Sequence, residues 1–209
     1  MAQQTKALST IIKATLPIVR YSSSPSELSS VLAQRGELVV KRFGNDMNFL
    51  VTVNPDTQTF FAAKPQAALM GDYPTLRDID TAYGRDFSVE WLVPQIADLV
   101  LYTGARNLTE AQQLGLARVI ATEYKYLKVT EMLFFFYRFK TGRYGRFYGK
   151  VDPMVVTCAL REFIKERNLM LDSFETEERQ QALEGNKQAK MTYEEYLRIV
   201  ASEKETESK

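Results

Sequence analysis

The segment Leu133–Asp152 reads LFFFYRFKTGRYGRFYGKVD and joins two patterns. Its first half is so apolar that a helix over Met132–Phe139 must be buried on one whole side and more. Its second half, residues 138–150, is called here the basic aromatic loop, because it mixes aromatic residues, three glycines and five cations with no acid. Asp152 and Pro153 then suit the N-cap and the first residue of a further helix, Met154–Arg167.

Three interpretations of the basic aromatic loop are open. In the first, Phe134, Phe135, Phe139 and Phe147 are core, the glycines make a tight turn between two helices and the cations are a solvated rim. In the second, the cations neutralise phosphates, two tyrosines stack on exposed bases and the glycines let a nucleic-acid strand approach the backbone. In the third, Tyr and Arg dock an acidic protein partner, since interfaces favour both residue types. The candidate binding residues are Arg138, Lys140, Arg143, Tyr144, Arg146, Tyr148 and Lys150.

Composition limits the chemistry. The 209 residues carry a formal net charge of +1, a single cysteine and no histidine. One cysteine forms neither an intramolecular disulfide nor a multi-cysteine metal site, and it favours a reducing compartment. The absence of histidine removes the commonest general base and the most frequent zinc ligand. We therefore predict no catalytic residue, no metal and no cofactor, and expect Cys158 to be a small buried apolar residue.

Other signals of enzymes and membranes are weak. The chain has neither the phosphate-binding Gly-x-x-x-x-Gly-Lys-Ser/Thr nor a strand-borne Gly-x-Gly-x-x-Gly. Asp78 and Asp80 are close enough in sequence to share a cation, but acids in the first turn of a helix need no ligand to explain them. No apolar run reaches the roughly 18 residues of a membrane span, and Lys6, Lys13 and Pro17 interrupt the first twenty residues. We expect a cytoplasmic protein that is not inserted in a membrane.

The N-terminal third predicts a small mixed unit. Thr5–Leu16 has the apolar spacing of a short helix, and a capping box at Ser24–Glu27 opens a second helix that should end at Gly36. Three short β-rich runs follow, separated by turn-forming Gly-Asn-Asp and Asn-Pro-Asp sequences, and they predict an antiparallel meander. These runs are Glu37–Phe43, Met47–Val53 and Thr59–Ala63.

The remainder predicts helices. Thr75 should cap a helix over Leu76–Tyr83, and Thr109 with Gln112 should open another. Residues 169–209 hold ten acids against six cations, and Met191–Val200 has the pattern of an amphipathic helix. This acidic segment is predicted to fold back on the basic aromatic loop or to dock a partner.

The expected fold class is α+β, mainly α-helical, in three parts. Residues 1–73 form the helix and meander unit, 74–168 the helical core with the loop, and 169–209 the acidic C-terminal helix and tail.

A resemblance rests on residues 120–167. The pattern is Ile120-x-x-Glu123-Tyr124-x-x-Leu127-Lys128-x-x-Glu131, then Phe134-Phe135, then Gly142-x-Tyr144-Gly145-x-x-Tyr148-x-x-x-Asp152, then Leu160-x-x-Phe163-x-x-Glu166-Arg167. It resembles a family of uncharacterised proteins from Bacteroidales-type bacteria, their phages and mobile elements. Lys150-Val151 departs mildly from that pattern, and the family supplies no activity to carry over.

Taken together, these observations predict a non-catalytic accessory protein of a phage or mobile element. We expect it to contact nucleic acid or the replication machinery through the basic aromatic loop. The alternative is a protein-protein adaptor that docks an acidic host or phage protein with the same surface.

Overall fold

A computed structural model describes residues 25–104, 108–145, 147, 149 and 151–189, with side chains from residue 29 to 184 within these ranges. The described residues form α-helices joined by short turns and one 3-10 helix (Pro55–Thr57). The helices are α1 (Pro25–Phe43), α2 (Asp46–Thr52), α3 (Gln58–Ala63), α4 (Pro65–Met70), α5 (Leu76–Tyr83), α6 (Phe87–Thr103), α7 (Glu110–Glu123), α8 (Val129–Lys140) and α9 (Pro153–Ala189). The predicted helices at Thr5–Leu16 and Met191–Val200 lie outside the described residues.

The predicted α+β class and its β-meander are wrong, because no strand occurs in the described part of the chain. Glu37–Phe43 belongs to α1, Met47–Val53 is mostly α2, and Thr59–Ala63 lies in α3. The supposed hairpin turns are helix boundaries. Gly44 has φ of 80° just after α1, the Asn45 side chain accepts a hydrogen bond from Asn48 N, and Asn54 accepts one from Asp56 N. Asparagine serves turns and helix caps equally well, so these runs had no local signal to separate strand from helix.

The predicted end of a helix at Gly36 is also wrong, because α1 continues through it to Phe43. Gly36 is buried where α1 crosses α5, and a Cβ placed there would lie 3.1 Å from Thr81 Cγ2 and 3.3 Å from Ala82 N. The glycine therefore allows two helix backbones to approach, and it does so inside a helix.

The helix starts predicted at Thr75, Thr109 and Asp152 are confirmed. Thr75 Oγ1 accepts from Asp78 N and the Asp78 carboxylate accepts from Thr75 N at the start of α5. Thr109 and Gln112 make the same reciprocal pair at the start of α7. Asp152 Oδ1 accepts from Met154 N, 2.8 Å away, at the start of α9. These signals succeed because each is complete within four residues.

One apolar core runs through the helices. The buried α8 supplies four of its nine buried aromatic residues, and Phe134 and Phe135 pack against Phe163 of α9 with ring centroids 5.9 and 5.5 Å apart. Trp91 of α6 is fully buried and donates to the Val53 carbonyl at 2.7 Å. Among the described helices, none has both the length and the apolar character needed to cross a membrane.

Candidate functional site

The basic aromatic loop begins in the last turn of α8 and leads to α9. Its backbone turns at Gly142 and Gly145, whose φ values of 78° and 103° lie where side chains are strained. Gly142 N donates to Phe139 O at 2.9 Å and so closes the end of α8. The glycines thus have a structural role in reversing the chain.

Three loop side chains converge on one carboxylate, that of Glu166 in α9. Arg143 Nε lies 2.9 Å from Oε1 and 3.0 Å from Oε2, Arg138 Nη1 lies 3.4 Å from Oε2, and the Tyr144 hydroxyl donates to Oε2 at 2.9 Å. Two guanidinium groups share one carboxylate, so the cluster keeps a formal charge of +1. We call these four residues the Glu166 cluster.

Burial shapes the chemistry of this cluster. Desolvation, followed by the hydrogen bond to Glu166, raises the pKa of Tyr144 well above its usual range. The phenol is therefore a hydrogen-bond donor at every physiological pH. Its ring centroid lies 5.9 Å from that of Phe135, so both the hydroxyl group and the ring of Tyr144 are held in place.

Lys140 is bound elsewhere. Its ammonium group makes an ion pair with Asp98 of α6 and lies 5.6 Å from the centre of the Tyr102 ring. Asp98 also accepts from the buried Gln58 Nε2 at 3.2 Å. The lysine therefore fastens the end of α8 to α6.

Phe147 of the loop lies over the core. Phe147 stacks on Phe139 with ring centroids 5.3 Å apart and an interplanar angle of 24°. Four of the seven predicted binding residues, Arg138, Lys140, Arg143 and Tyr144, thus make contacts within the fold. The other three, Arg146, Tyr148 and Lys150, lie outside the described residues.

A second ion pair joins α8 to α9. Glu131 is fully buried, with Oε2 accepting from Lys128 N at 2.9 Å as the cap of α8, while Oε1 accepts from Arg167 Nε at 2.8 Å. Glu131, Tyr144, Glu166 and Arg167 all belong to the pattern that carried the resemblance. In the structure, these polar residues hold α8, the loop and α9 together.

Exposed apolar side chains flank the loop on both sides. On one side, a cleft of about 590 Å³ is lined by Arg143, Tyr144 and the first turns of α9, including Met154, which is 72% exposed. On the other, a cleft of about 340 Å³ lies between the loop and Tyr102, which is 63% exposed. Leu101 beside it is also exposed.

The expectation for Cys158 is wrong, because this cysteine is exposed and lines the first cleft. Its neighbour Ala159 is buried in the core, and adjacent residues of a helix point about 100° apart. The apolar face of α9 therefore passes beside Cys158 without including it.

The carboxylates considered as cation ligands have structural partners. Asp78 belongs to the cap of α5, and Asp80 accepts from Ser88 N at 2.7 Å and Ser88 Oγ at 2.9 Å. Burial raises the pKa of Asp80, and the two Ser88 hydrogen bonds oppose that change. Within the described residues, no group of three or more potential ligand side chains is placed to hold a metal ion.

Sequence reasoning missed the acids that pair with the loop. Glu166 was quoted only as part of the resemblance, and Asp98 was not singled out, although it is one of two acids in the apolar helix α6. An acid inside an apolar helix is a signal for a buried partner. The exposed Tyr102 and Met154 carried no comparable signal.

Comparison with known proteins finds a similarity in the part of the chain that holds this site. No curated protein and no solved structure matches the chain. A family of unknown function, DUF6633, matches residues 107–206, a little under half of the chain, which covers α7, α8, the basic aromatic loop and α9.

Proposed function

We propose that this chain is a non-catalytic binding protein that docks a protein partner through the basic aromatic loop and its two flanking clefts. The observation that carries the proposal is the pairing of rigidly held polar groups with exposed apolar ones. Arg143 is half exposed although Glu166 orients it, and Met154 and Tyr102 stand exposed on either side.

The residue types fit a protein interface. Tyr, Met and Arg are enriched in interface cores, and a side chain already held in one rotamer loses less entropy on binding. Glu166 fixes Arg143 and Tyr144 from within the fold, so both present a defined surface to a partner.

The nucleic-acid hypothesis is supported by the five cations of the loop sequence. Against it, Arg138, Arg143 and Lys140 all have carboxylate partners that phosphates would have to displace. Nucleic-acid affinity comes chiefly from cations free to neutralise phosphates. We therefore place the adaptor function first. The role as a replication accessory of a phage or mobile element rests on the resemblance and stays a prediction.

Affinity capture with the full chain as bait tests the proposal. Wild type is compared with Met154→Glu and Tyr102→Glu, which put a charge into the apolar flanks, and with Val119→Glu, which changes an exposed apolar residue on α7. We expect a protein from lysate of the source cells to be retained by wild type and Val119→Glu, lost with both flank variants, and unaffected by nuclease.

Two results would reject the adaptor function. If nuclease releases everything captured, the loop contacts nucleic acid. If the flank variants capture the same proteins as wild type, the partner binds elsewhere. Thermal melting of all variants checks that each one folds.

A further inference from the structure

A second basic surface lies away from the loop, in a cleft of about 670 Å³ between the C-terminal half of α1 and the segment that links α4 to α5. Four cations line it, against two acids, Asp72 and Asp78. The cations are Arg35, Lys41, Arg42 and Lys128. We call it the α1 cleft.

Most of these cations have no carboxylate partner among the described residues. Arg35 lies 3.8 Å from Asp78, the single ion pair recorded here. Arg42 instead donates to the Asp72 backbone carbonyl and lies 4.6 Å above the centre of the Tyr73 ring. Lys128 Nζ donates to the Leu69 and Gly71 carbonyls at 2.9 and 2.8 Å, at the C-terminal end of α4. The cleft therefore keeps an uncompensated positive charge.

The cleft is also apolar. Val39 and Pro74 are buried in it, Phe43 and Tyr73 are partly buried, and Leu38 is 63% exposed at its edge. An exposed leucine beside unpaired cations fits a peptide that is both amphipathic and acidic.

We propose that the α1 cleft binds the chain's own C-terminal segment, residues 191–203. This segment, MTYEEYLRIVASE, has three glutamates and one arginine, and Tyr193, Tyr196, Leu197 and Val200 recur at helical spacing. The other terminal segment is unsuitable by charge, since residues 1–24 contain three cations and no acid.

The path of α9 brings this segment to the correct end of the molecule. α9 crosses α8 at Phe163–Arg167 and then reaches α4, where Gln66 Nε2 lies 3.4 Å from Glu178 Oε1. From Gln66 it is five residues, about 7.5 Å of helix, to Gly71 at the cleft. From Glu178 it is eleven residues, about 16 Å, to the end of α9 at Ala189. As a helix, residues 191–203 are about 20 Å long, so a segment that turns back at Lys190 reaches the cleft.

The same path argues against the predicted return of this segment to the basic aromatic loop. Arg143 and Tyr144 of the loop contact Glu166, and the 23 helical residues from there to Ala189 place the end of α9 about 35 Å away, compared with at most about 24 Å for the α1 cleft. The α1 cleft is the nearer positive surface.

Cysteine cross-linking in the full chain tests the proposal. In a Cys158→Ser background, Leu38→Cys is combined with Leu197→Cys and treated with a short bismaleimide. The control pairs Leu197→Cys with Val119→Cys, which is exposed on α7. Non-reducing gels and peptide mapping distinguish cross-links within one chain from those between chains.

We expect a cross-link within one chain for the Leu38 pair only. Its yield should fall in high salt, which screens exposed charges, and should be lost when Lys41→Glu and Arg42→Glu are added. Restoration by Glu194→Lys and Glu195→Lys would show that charge pairing selects the site. Cross-linked dimers would assign the cleft to a second copy and overturn the proposal. Equal yields for both pairs, or no cross-link, would also overturn it.

Discussion

The two basic surfaces of this protein differ in what their cations do. In the basic aromatic loop, Arg138, Arg143 and Lys140 are bound to carboxylates of α9 and α6. In the α1 cleft, Arg42 and Lys128 are held by carbonyl groups and an aromatic ring, which leave their charge uncompensated. Density of cations in a sequence therefore does not measure positive charge available to a ligand. What decides it is whether distant acids fold against the cations.

The largest expected loss of stability is at Glu131, which joins α8 to α9 next to the basic aromatic loop. Glu131→Ala removes the cap of α8 and leaves the largely buried Arg167 without its partner. Breaking such a buried pair should lower the free energy of unfolding by about 3 kcal/mol. Denaturant unfolding measures this, with Glu123→Ala, an exposed acid at the end of α7, as the matched control.

Glu123→Ala should change stability by less than about 0.5 kcal/mol. If the two variants have the same stability, Glu131 is not a structural anchor.

The next effect is at Glu166. Glu166→Ala removes the shared acceptor of Arg138, Arg143 and Tyr144, so we expect a loss of about 1.5 to 3 kcal/mol, as for hydrogen bonds to a charged group. The matched control is Glu162→Ala, one turn earlier on α9, whose ion pair with Lys165 is exposed. That variant should lose at most about 1 kcal/mol. Equal losses would show that the loop is not held by Glu166.

Stability should also fall in alkali because of Tyr144. Its pKa is raised in the folded state, so above about pH 10 the unfolded chain releases a proton that the folded chain keeps. Each such proton lowers the free energy of unfolding by at most about 1.4 kcal/mol per pH unit. Between pH 9 and 11, the free energy of unfolding should fall less steeply with pH for Tyr144→Phe than for wild type. Parallel curves would contradict the buried hydrogen bond to Glu166.

The smallest effect is in the α1 cleft. Lys41→Ala and Arg42→Ala together should cost no more than about 1 kcal/mol, mainly from the lost stacking of Arg42 on Tyr73. Thermal unfolding compared with Glu166→Ala tests the ranking. A larger loss than at Glu166 would mean that these cations are structural, and the contrast between the two surfaces would fail.

Sequence reasoning succeeded where the signal was local. The caps at Thr75, Thr109 and Asp152 each lie within four residues of their partners, so they fixed three helix starts. It failed at Glu37–Ala63, because short apolar runs fit both the helical and the strand periodicity. It also failed at Gly36, which was predicted to end a helix. A glycine is needed at position 36 because α5 packs closely against it, and α5 lies about 45 residues further along the sequence.

The candidate site shows the same limit. The aromatic helix and the glycine turn could be read from adjacent residues. The pairing of Arg143 with Glu166 spans 23 residues, and that of Lys140 with Asp98 spans 42. No periodicity encodes such contacts, so the sequence could not decide among the rim, nucleic-acid and docking interpretations.

The most direct test of the contrast is the affinity of full-length wild type and Glu166→Gln for a labelled single-stranded oligonucleotide, measured by fluorescence anisotropy at several salt concentrations. If Glu166 occupies the loop cations, wild type binds weakly, and the variant binds more tightly because the half-exposed Arg143 loses its carboxylate partner, while Arg138 stays largely buried. Each new phosphate contact adds about 0.7 to the salt slope, so the slope should steepen by about 0.7. Tight binding by wild type, with the same slope in the variant, would contradict the account.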